Sequence, residues 1–176
     1  MDINRLVQQA KKGDDASFEQ LIAIVRTTLY RTAYAYVRNE QDALDIYQEA
    51  IYIAYSTIQK LKHPERFTSW IKKIVVFKAI DFIRKESRHF TTDDASLFEG
   101  LIVQEQEEEI LHALDLSEAF NVLEPKVKAI LLLRYYHDLS IKEIAHVLKI
   151  PEGTIKSHIN RAQKELRPIL KEGYLL

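Results

Sequence analysis

The chain has 176 residues, 47% of them hydrophobic, with 25 Lys and Arg against 26 Asp and Glu and no cysteine. That size and apolar content permit one ordinary domain or two small ones with packed cores and exclude global disorder. The missing cysteine excludes disulfides, thiolate metal sites and cysteine nucleophiles, and the net charge of −1 gives no overall attraction to nucleic acid or anionic lipid.

Four glycines, four prolines and no persisting alternation point to helices throughout. Residues 1–61 carry seven Lys/Arg and eight Asp/Glu. They open with no basic stretch followed by an apolar run, so no secretory signal is expected. Asp14 and Asp15 can cap a helix over about 16–37, with Phe18, Leu21, Ile22, Val25, Leu29 and Ala33 on one side. Asn39-Glu40-Gln41-Asp42 resembles a capping arrangement and opens a second helix to about residue 60. Within it Asp42, Asp45 and Glu49 fall at i, i+3 and i+7, one acidic stripe with Gln48 beside it.

A loop follows over 61–66, containing His63-Pro64, and then a third helix over about 68–88. Its expected apolar positions are Trp70, Ile71, Ile74, Val75, Ile80, Phe82 and Ile83. Residues 62–88 carry eight Lys/Arg and three Asp/Glu, net +5. Cations and aromatics alternate there: Arg66, Phe67, Trp70, Lys72, Lys73, Phe77, Lys78, Arg84 and Lys85. Cations can follow a phosphate backbone and aromatic faces can receive unstacked bases.

Residues 89–125 carry no Lys or Arg and ten Asp/Glu. The stretch from 90 to 109 reads as an acidic linker. Helical spacing returns at Ile110, Leu111, Leu114, Ala119, Phe120 and Leu123. Pro125 suits a first helical turn, and that helix continues through Leu131-Leu132-Leu133 to Tyr136.

Residues 126–176 carry ten Lys/Arg and five Asp/Glu, net +5. Ser140-Ile141-Lys142-Glu143 is a capping box opening a short helix with Ile144, Ala145, Val147 and Leu148. Lys149-Ile150-Pro151 makes a tight turn. A second helix runs from about residue 152 past 166, with Ile155, Ile159, Ala162 and Leu166 on one arc and Lys156, Ser157, Asn160, Arg161 and Lys164 on another. One face can pack on its domain while the other meets DNA. Arg and Lys suit phosphate or guanine, Asn suits adenine, and Ser reads permissively. A charged stripe alone is equally a solvated face; the capping box, short helix, turn and apolar spacing together make a helix-turn-helix. The expected architecture is therefore all-α: two small helical domains, 1–89 and 110–176, joined by an acidic linker.

Three stretches, in this order, resemble the extracytoplasmic-function group of bacterial sigma-70 RNA polymerase sigma factors. Asp42-Ala43-Leu44-Asp45-Ile46-Tyr47-Gln48-Glu49-Ala50 looks like the polymerase-binding motif of that family. Phe67-Thr68-Ser69-Trp70-Ile71, continuing through Ala79-Ile80-Asp81-Phe82-Ile83-Arg84-Lys85, is similar to its promoter-melting segment. Leu139-Ser140-Ile141-Lys142-Glu143-Ile144-Ala145 with Pro151-Glu152-Gly153-Thr154-Ile155-Lys156-Ser157 matches its promoter-reading helix-turn-helix.

The resemblance implies a sigma factor directing promoter-specific initiation without covalent chemistry or cofactor. Asp42, Asp45, Gln48 and Glu49 would dock on polymerase core, whose beta-prime clamp and beta flap are the implied partners. Arg66, Phe67, Trp70, Lys73, Phe77 and Lys78 would hold the melted −10 strand, with the loop before them capturing a flipped base. Phe67, beside that loop, is the better aromatic contact candidate, and Trp70 the more structural. Lys156, Ser157, Asn160 and Arg161 would read the −35 duplex, His158 would reach phosphate at the edge of the stripe, and Lys142 and Lys164 would contact phosphate. An active monomer is implied, and an anti-sigma partner, often membrane-bound in the family.

Two departures stand out. Phe77 replaces an Asn common in the family, with Val76 before it where Arg or Lys is frequent, so the −10 preference is expected to differ. Lys149 occupies a turn position often held by Gly; a left-handed conformation there costs a Lys roughly 1 kcal/mol. The acidic linker reads equally as a nucleic-acid mimic inside polymerase or as a solvated tether. An autonomous helix-turn-helix regulator is the rival reading, weakened by the 42–50 motif and the basic-aromatic helix. The six histidines are scattered, with no pair at metal-ligand spacing, and neither an enzyme nor a metal site is expected. No apolar run approaches a membrane span, and a soluble, cytoplasmic protein is expected.

Overall fold

The computed structural model describes residues 2–86 and 123–166, together with Phe98 and Leu101. Among these residues there are seven α-helices and no strand. The chain divides into two units, residues 1–83 and 84–176.

The first unit opens with a helix the sequence reading did not predict, α1 (Ile3–Ala10). Asp2 caps it, its carboxylate accepting from the amides of Asn4 at 3.0 Å and Arg5 at 3.4 Å. Leu6, Val7 and Ala10 are buried, the i, i+1, i+4 edge of a short helix laid on a neighbour. Gly13 turns the chain with φ +91°, a conformation open to glycine and strained for other residues. Beyond it runs α2 (Asp15–Val37), which buries Phe18, Leu21, Val25, Leu29, Ala33 and Tyr36 at steps of three and four. Ser17 is 3% exposed and its hydroxyl bonds to Gln9 on α1 and to Asp14 at the start of α2, tying the two helices at the turn.

Arg38 ends α2 in the left-handed region, and Asn39 caps α3 (Glu40–Thr57), accepting from the Asp42 amide at 3.0 Å. α3 buries Ala43, Ile46, Ala50 and Ala54. Three alanines on the inner face let α2 and α3 approach closely along their length. Phe18 and Tyr55 meet edge to face at 5.2 Å, and the Tyr55 hydroxyl donates to Asp15 at 2.7 Å. That hydrogen bond and the Asp15 charge push the Tyr55 phenol above its ordinary pKa.

The helix expected to reach residue 60 changes at Ile58 into a 3-10 turn (Ile58–Lys60). The expected loop contains another (Pro64–Arg66), on which α1 packs. Then comes α4 (Phe67–Glu86). Its buried residues are Phe67, Ile71, Val75, Val76, Ala79 and Ile80. Trp70, Ile74, Phe82 and Ile83, expected in the core, are only half-buried. A helix apolar on nearly all sides gives periodicity no clear inner edge.

In the second unit Pro125 starts α5 (Pro125–Leu131), which passes into a π-helical turn (Leu132–Tyr136) instead of continuing as regular α-helix. Leu131 at the end of α5 and Leu132 and Leu133 in the wider turn are all buried. Arg134 donates to the Leu139 carbonyl at 2.9 Å, closing the link to the next helix. The predicted capping box is formed: the Glu143 amide donates to the Ser140 hydroxyl at 3.2 Å, and the Ser140 amide to the Glu143 carboxylate at 2.7 Å. It opens α6 (Ile141–Leu148). Lys149 adopts φ 57°, the left-handed turn that a Gly would take without strain, and α7 (Glu152–Leu166) follows Pro151. α7 packs on α5 and α6, burying Ile155, Ile159, Ala162 and Leu166.

Of the expected linker, Phe98 and Leu101 are described. Both are helical and 1% exposed, and Lys126 stacks over the Phe98 ring at 5.5 Å. A purely solvated tether does not describe these two residues. The rest of the linker and the helical spacing expected over 110–120 lie outside the described residues.

Candidate nucleic-acid and polymerase interfaces

The second unit presents the simpler surface. With its four apolar residues buried, α7 leaves Lys156, Ser157, Asn160, Arg161 and Lys164 exposed and His158 half-buried at the margin. Lys142 is exposed on α6. The sequence-predicted residues are thus on one helix face with one added cation nearby in sequence order. The Ser157 hydroxyl donates to the Gly153 carbonyl at 2.9 Å and keeps its lone pairs as acceptors. Gly153 has nothing within 4 Å of where a Cβ would stand, so the fold itself does not require a glycine there.

Sequence reasoning missed the anchoring at the flanks of this face. Arg161 donates from Nη2 to Glu124 at 3.2 Å and pairs from Nε with Glu165 at 3.4 Å. On the opposite flank Gln163 donates to the Tyr135 hydroxyl at 3.1 Å. The two arginine contacts use two of five guanidinium hydrogens, which leaves enough donors for a bidentate contact with a base. Both ion pairs are solvent-exposed and therefore weak and easily exchanged. Only the Glu165 pairing, at i+4, was legible in sequence.

In the first unit Asp45, Gln48 and Glu49 are exposed on α3 and Asp42 is half-buried. Gln41 donates to Asp45 at 3.2 Å. Beside this stripe Leu44 is 39% exposed and Tyr52 is 72% exposed, large apolar groups that the acidic motif had overshadowed. With Gln48 between them at four-residue steps, they form one row.

The basic-aromatic segment is rearranged relative to expectation. Phe67, expected to be the better contact, is 1% exposed and offers no face to a base. Trp70, expected to be structural, is half-buried, its ring 6.0 Å from that of Phe67. The first helical position turns its side chain inward, and Trp70 in the same turn stays partly open to solvent. Trp70, Lys73 and Phe77 recur at i, i+3 and i+7, within roughly 60° of one another around the helix, and all three are half-buried. Arg66 is exposed at the end of the preceding turn. Lys78 donates to Glu49 at 2.6 Å. A candidate −10 contact and a candidate polymerase contact, 29 residues apart, thus form one ion pair. In the loop, His63 and Glu65 are 3.1 Å apart. The Glu65 carboxyl is held below its ordinary pKa, first by a hydrogen bond from its own backbone and then by His63 and Arg66.

Among the described residues no three His, Asp or Glu side chains gather at metal-ligand range, and no helix is long and apolar enough to cross a membrane.

A two-unit helical chain with an exposed polar face on a helix-turn-helix points to the class of DNA-binding transcription proteins. Comparison with known families narrows this. The model of sigma-70 region 2 matches residues 21–89, and that of sigma-70 region 4 matches residues 113–166. RNA polymerase sigma factor SigV of Bacillus subtilis is 38% identical over 138 residues, covering 78% of this chain and 81% of that protein. ECF RNA polymerase sigma factor SigW of the same organism is 31% identical over 184 residues, covering 98% of each. The solved structure of CnrH in complex with the cytosolic domain of CnrY superposes with a TM-score of 0.46 at 21% identity, over 95% of this chain and 96% of that one. The chain belongs to the extracytoplasmic-function group of the sigma-70 family and is an RNA polymerase sigma factor. An autonomous regulator would account for the match over 113–166 and leave the match over 21–89 without a purpose.

Proposed function

We propose that this sigma factor works through three surfaces. The α3 row of Asp42, Asp45, Gln48 and Glu49 docks on the clamp of polymerase core. The α7 face of Lys156, Ser157, Asn160 and Arg161 reads the −35 duplex, with Lys142, His158 and Lys164 on phosphate. Arg66, Trp70, Lys73, Phe77 and Lys78 hold the melted −10 strand. The functional parts are 1–89, the acidic linker 90–109 and 110–176, which lets one chain bridge two promoter elements. The protein itself makes and breaks no covalent bond: capture of unstacked bases favours strand opening, and polymerase supplies the catalytic site. It acts in the cytoplasm as a monomer on core, whose beta flap is a further contact. On family resemblance alone, an anti-sigma partner holds it in reserve.

One observation carries this reading. On α7 the residues suited to base and phosphate contact are exposed, while the four apolar residues between them are buried. The test is to add the protein to sigma-free core polymerase with a promoter library and map the transcription starts. A shared −35 and −10 sequence among the starts is the expected result. No core binding and no promoter-dependent start would sink the proposal.

A further inference from the structure

The loop before α4 is braced by an element to which nothing has so far assigned a role. Helix α1 lies ahead of the residues matched by the region 2 model, which begin at 21. It packs on the Pro64–Arg66 turn. At its C-terminal end the half-buried Lys11 donates from Nζ to the carbonyl of Leu61 at 2.6 Å, across 50 residues of sequence. Leu61 follows the 3-10 turn that ends α3, is 7% exposed, and its amide bonds back to Ile58. A buried carbonyl at the end of a turn needs a donor, and an ammonium supplies a charge-assisted one. The far side of the loop is pinned separately: the Arg66 amide donates to the His63 carbonyl at 3.0 Å, and Pro64 fixes its own φ. Lys62 and His63 therefore span a short stretch held at both ends. The brace is itself anchored, because Gly13 and the buried Ser17 lock α1 onto α2.

We infer that Lys11 is a positioning residue for the strand-capturing loop, holding the backbone at Leu61 so that residues 62–66 meet the −10 strand in one conformation. This rests on the proposed −10 role of that loop. Capture of a flipped base is tighter when the site is ordered beforehand, since the ordering cost is not charged against binding.

The test uses reconstituted holoenzyme and a fork DNA whose −10 segment, taken from the mapped starts, is single-stranded. Lys11→Met keeps the apolar stem and removes the ammonium. Its affinity for the fork should fall about three- to ten-fold, as expected for partial transmission of one charge-assisted bond. Affinity for core polymerase and for −35 duplex should not change, and Lys11→Arg should recover most of the loss. Arg66→Ala is measured alongside. If Arg66→Ala weakens fork binding and Lys11→Met does not, the inference fails and the loop reading stands. If neither matters, the loop does not hold the strand and both fail. If Lys11→Met lowers core and fork affinity together, α1 is a general support of the unit and the inference fails. Should Lys11→Met not fold, Lys11→Gln, with a neutral donor on a shorter stem, is read in the same way.

Discussion

Helices α4 and α7 are both proposed to meet DNA, yet they are built on different plans. In α7 the exposed polar residues and the four buried apolar residues occupy separate arcs. Its inner face serves packing and its outer face is the one proposed for contact, so a change on one face leaves the other intact. In α4 aromatic side chains are asked to serve both purposes under the proposed function. Phe67 is fully buried one turn from the half-buried Trp70, and the cation Lys78 is already engaged by Glu49 of α3. Altering the α4 surface thus disturbs packing or the neighbouring acidic stripe of α3. The difference suits the tasks: a duplex is read by a rigid face, whereas an unstacked strand needs aromatic area that a small domain must also use for its core.

The sharpest way to break this comparison is to remove the two α4 aromatics separately. Phe67→Ala should cost the first unit about 3–5 kcal/mol, the range for a truncated core aromatic, read from denaturant unfolding. Trp70→Ala should cost less stability and more affinity for the single-stranded −10 segment. The reverse pattern, with Phe67→Ala mild in unfolding but poor in strand binding, would show that the buried arrangement opens on DNA.

Arg161→Ala comes next. It should weaken −35 binding by about 1–3 kcal/mol and relax one base preference if its contact is bidentate. Its stability effect should be small, because the ion pairs to Glu124 and Glu165 are exposed. An unchanged base preference in a −35 library would put Arg161 on phosphate or off the DNA.

Asp45→Arg tests whether the surfaces of the first unit separate as those of the second do. Asp45 is exposed and accepts a side-chain bond from Gln41 on its own helix. Reversing its charge should lower core affinity roughly tenfold, about 1.4 kcal/mol, while binding of −35 duplex by the second unit stays as it was. Normal core affinity in a titration would refute the docking role.

These expectations follow unevenly from sequence, for physical reasons. The capping box at Ser140 and the faces of α7 were legible because each rests on local spacing. The left-handed Lys149 was foreseeable from turn chemistry. α1 was not legible: eight residues with three buried positions are marginal alone and form because α2 covers them. Three consecutive leucines concealed the π turn, since a run of apolar residues states no register. The Lys78–Glu49 and Arg161–Glu124 pairs join residues far apart in sequence, which no periodicity reports. The burial of Phe67 and the partial exposure of Trp70 were not legible because α4 is apolar nearly all round. Phe98 and Leu101 were taken into a linker by the acidic residues around them, although both are buried.

The smallest expected effect concerns Gly153. A methyl group at this position meets nothing within 4 Å, and its backbone is that of an ordinary helix residue. Packing of the second unit therefore gives no reason for glycine, and Gly153→Ala should stabilise it by roughly 0.5–1 kcal/mol through helix propensity. Yet Gly153 is exposed in the first turn of α7, and its carbonyl receives the Ser157 hydroxyl. Glycine at such a point is explained if the DNA backbone approaches the helix start closely, where the amides of the first turn face outward and favour an anion. The prediction is a rise in the unfolding midpoint together with weaker binding of −35 duplex, of the same small size on each phosphate-facing sequence tested. Base preference should stay fixed, since only the approach of the backbone is hindered. A rise in stability with unchanged affinity would mean that the helix start stands clear of the duplex, and the −35 contact would then lie wholly on the arc from Lys156 to Lys164.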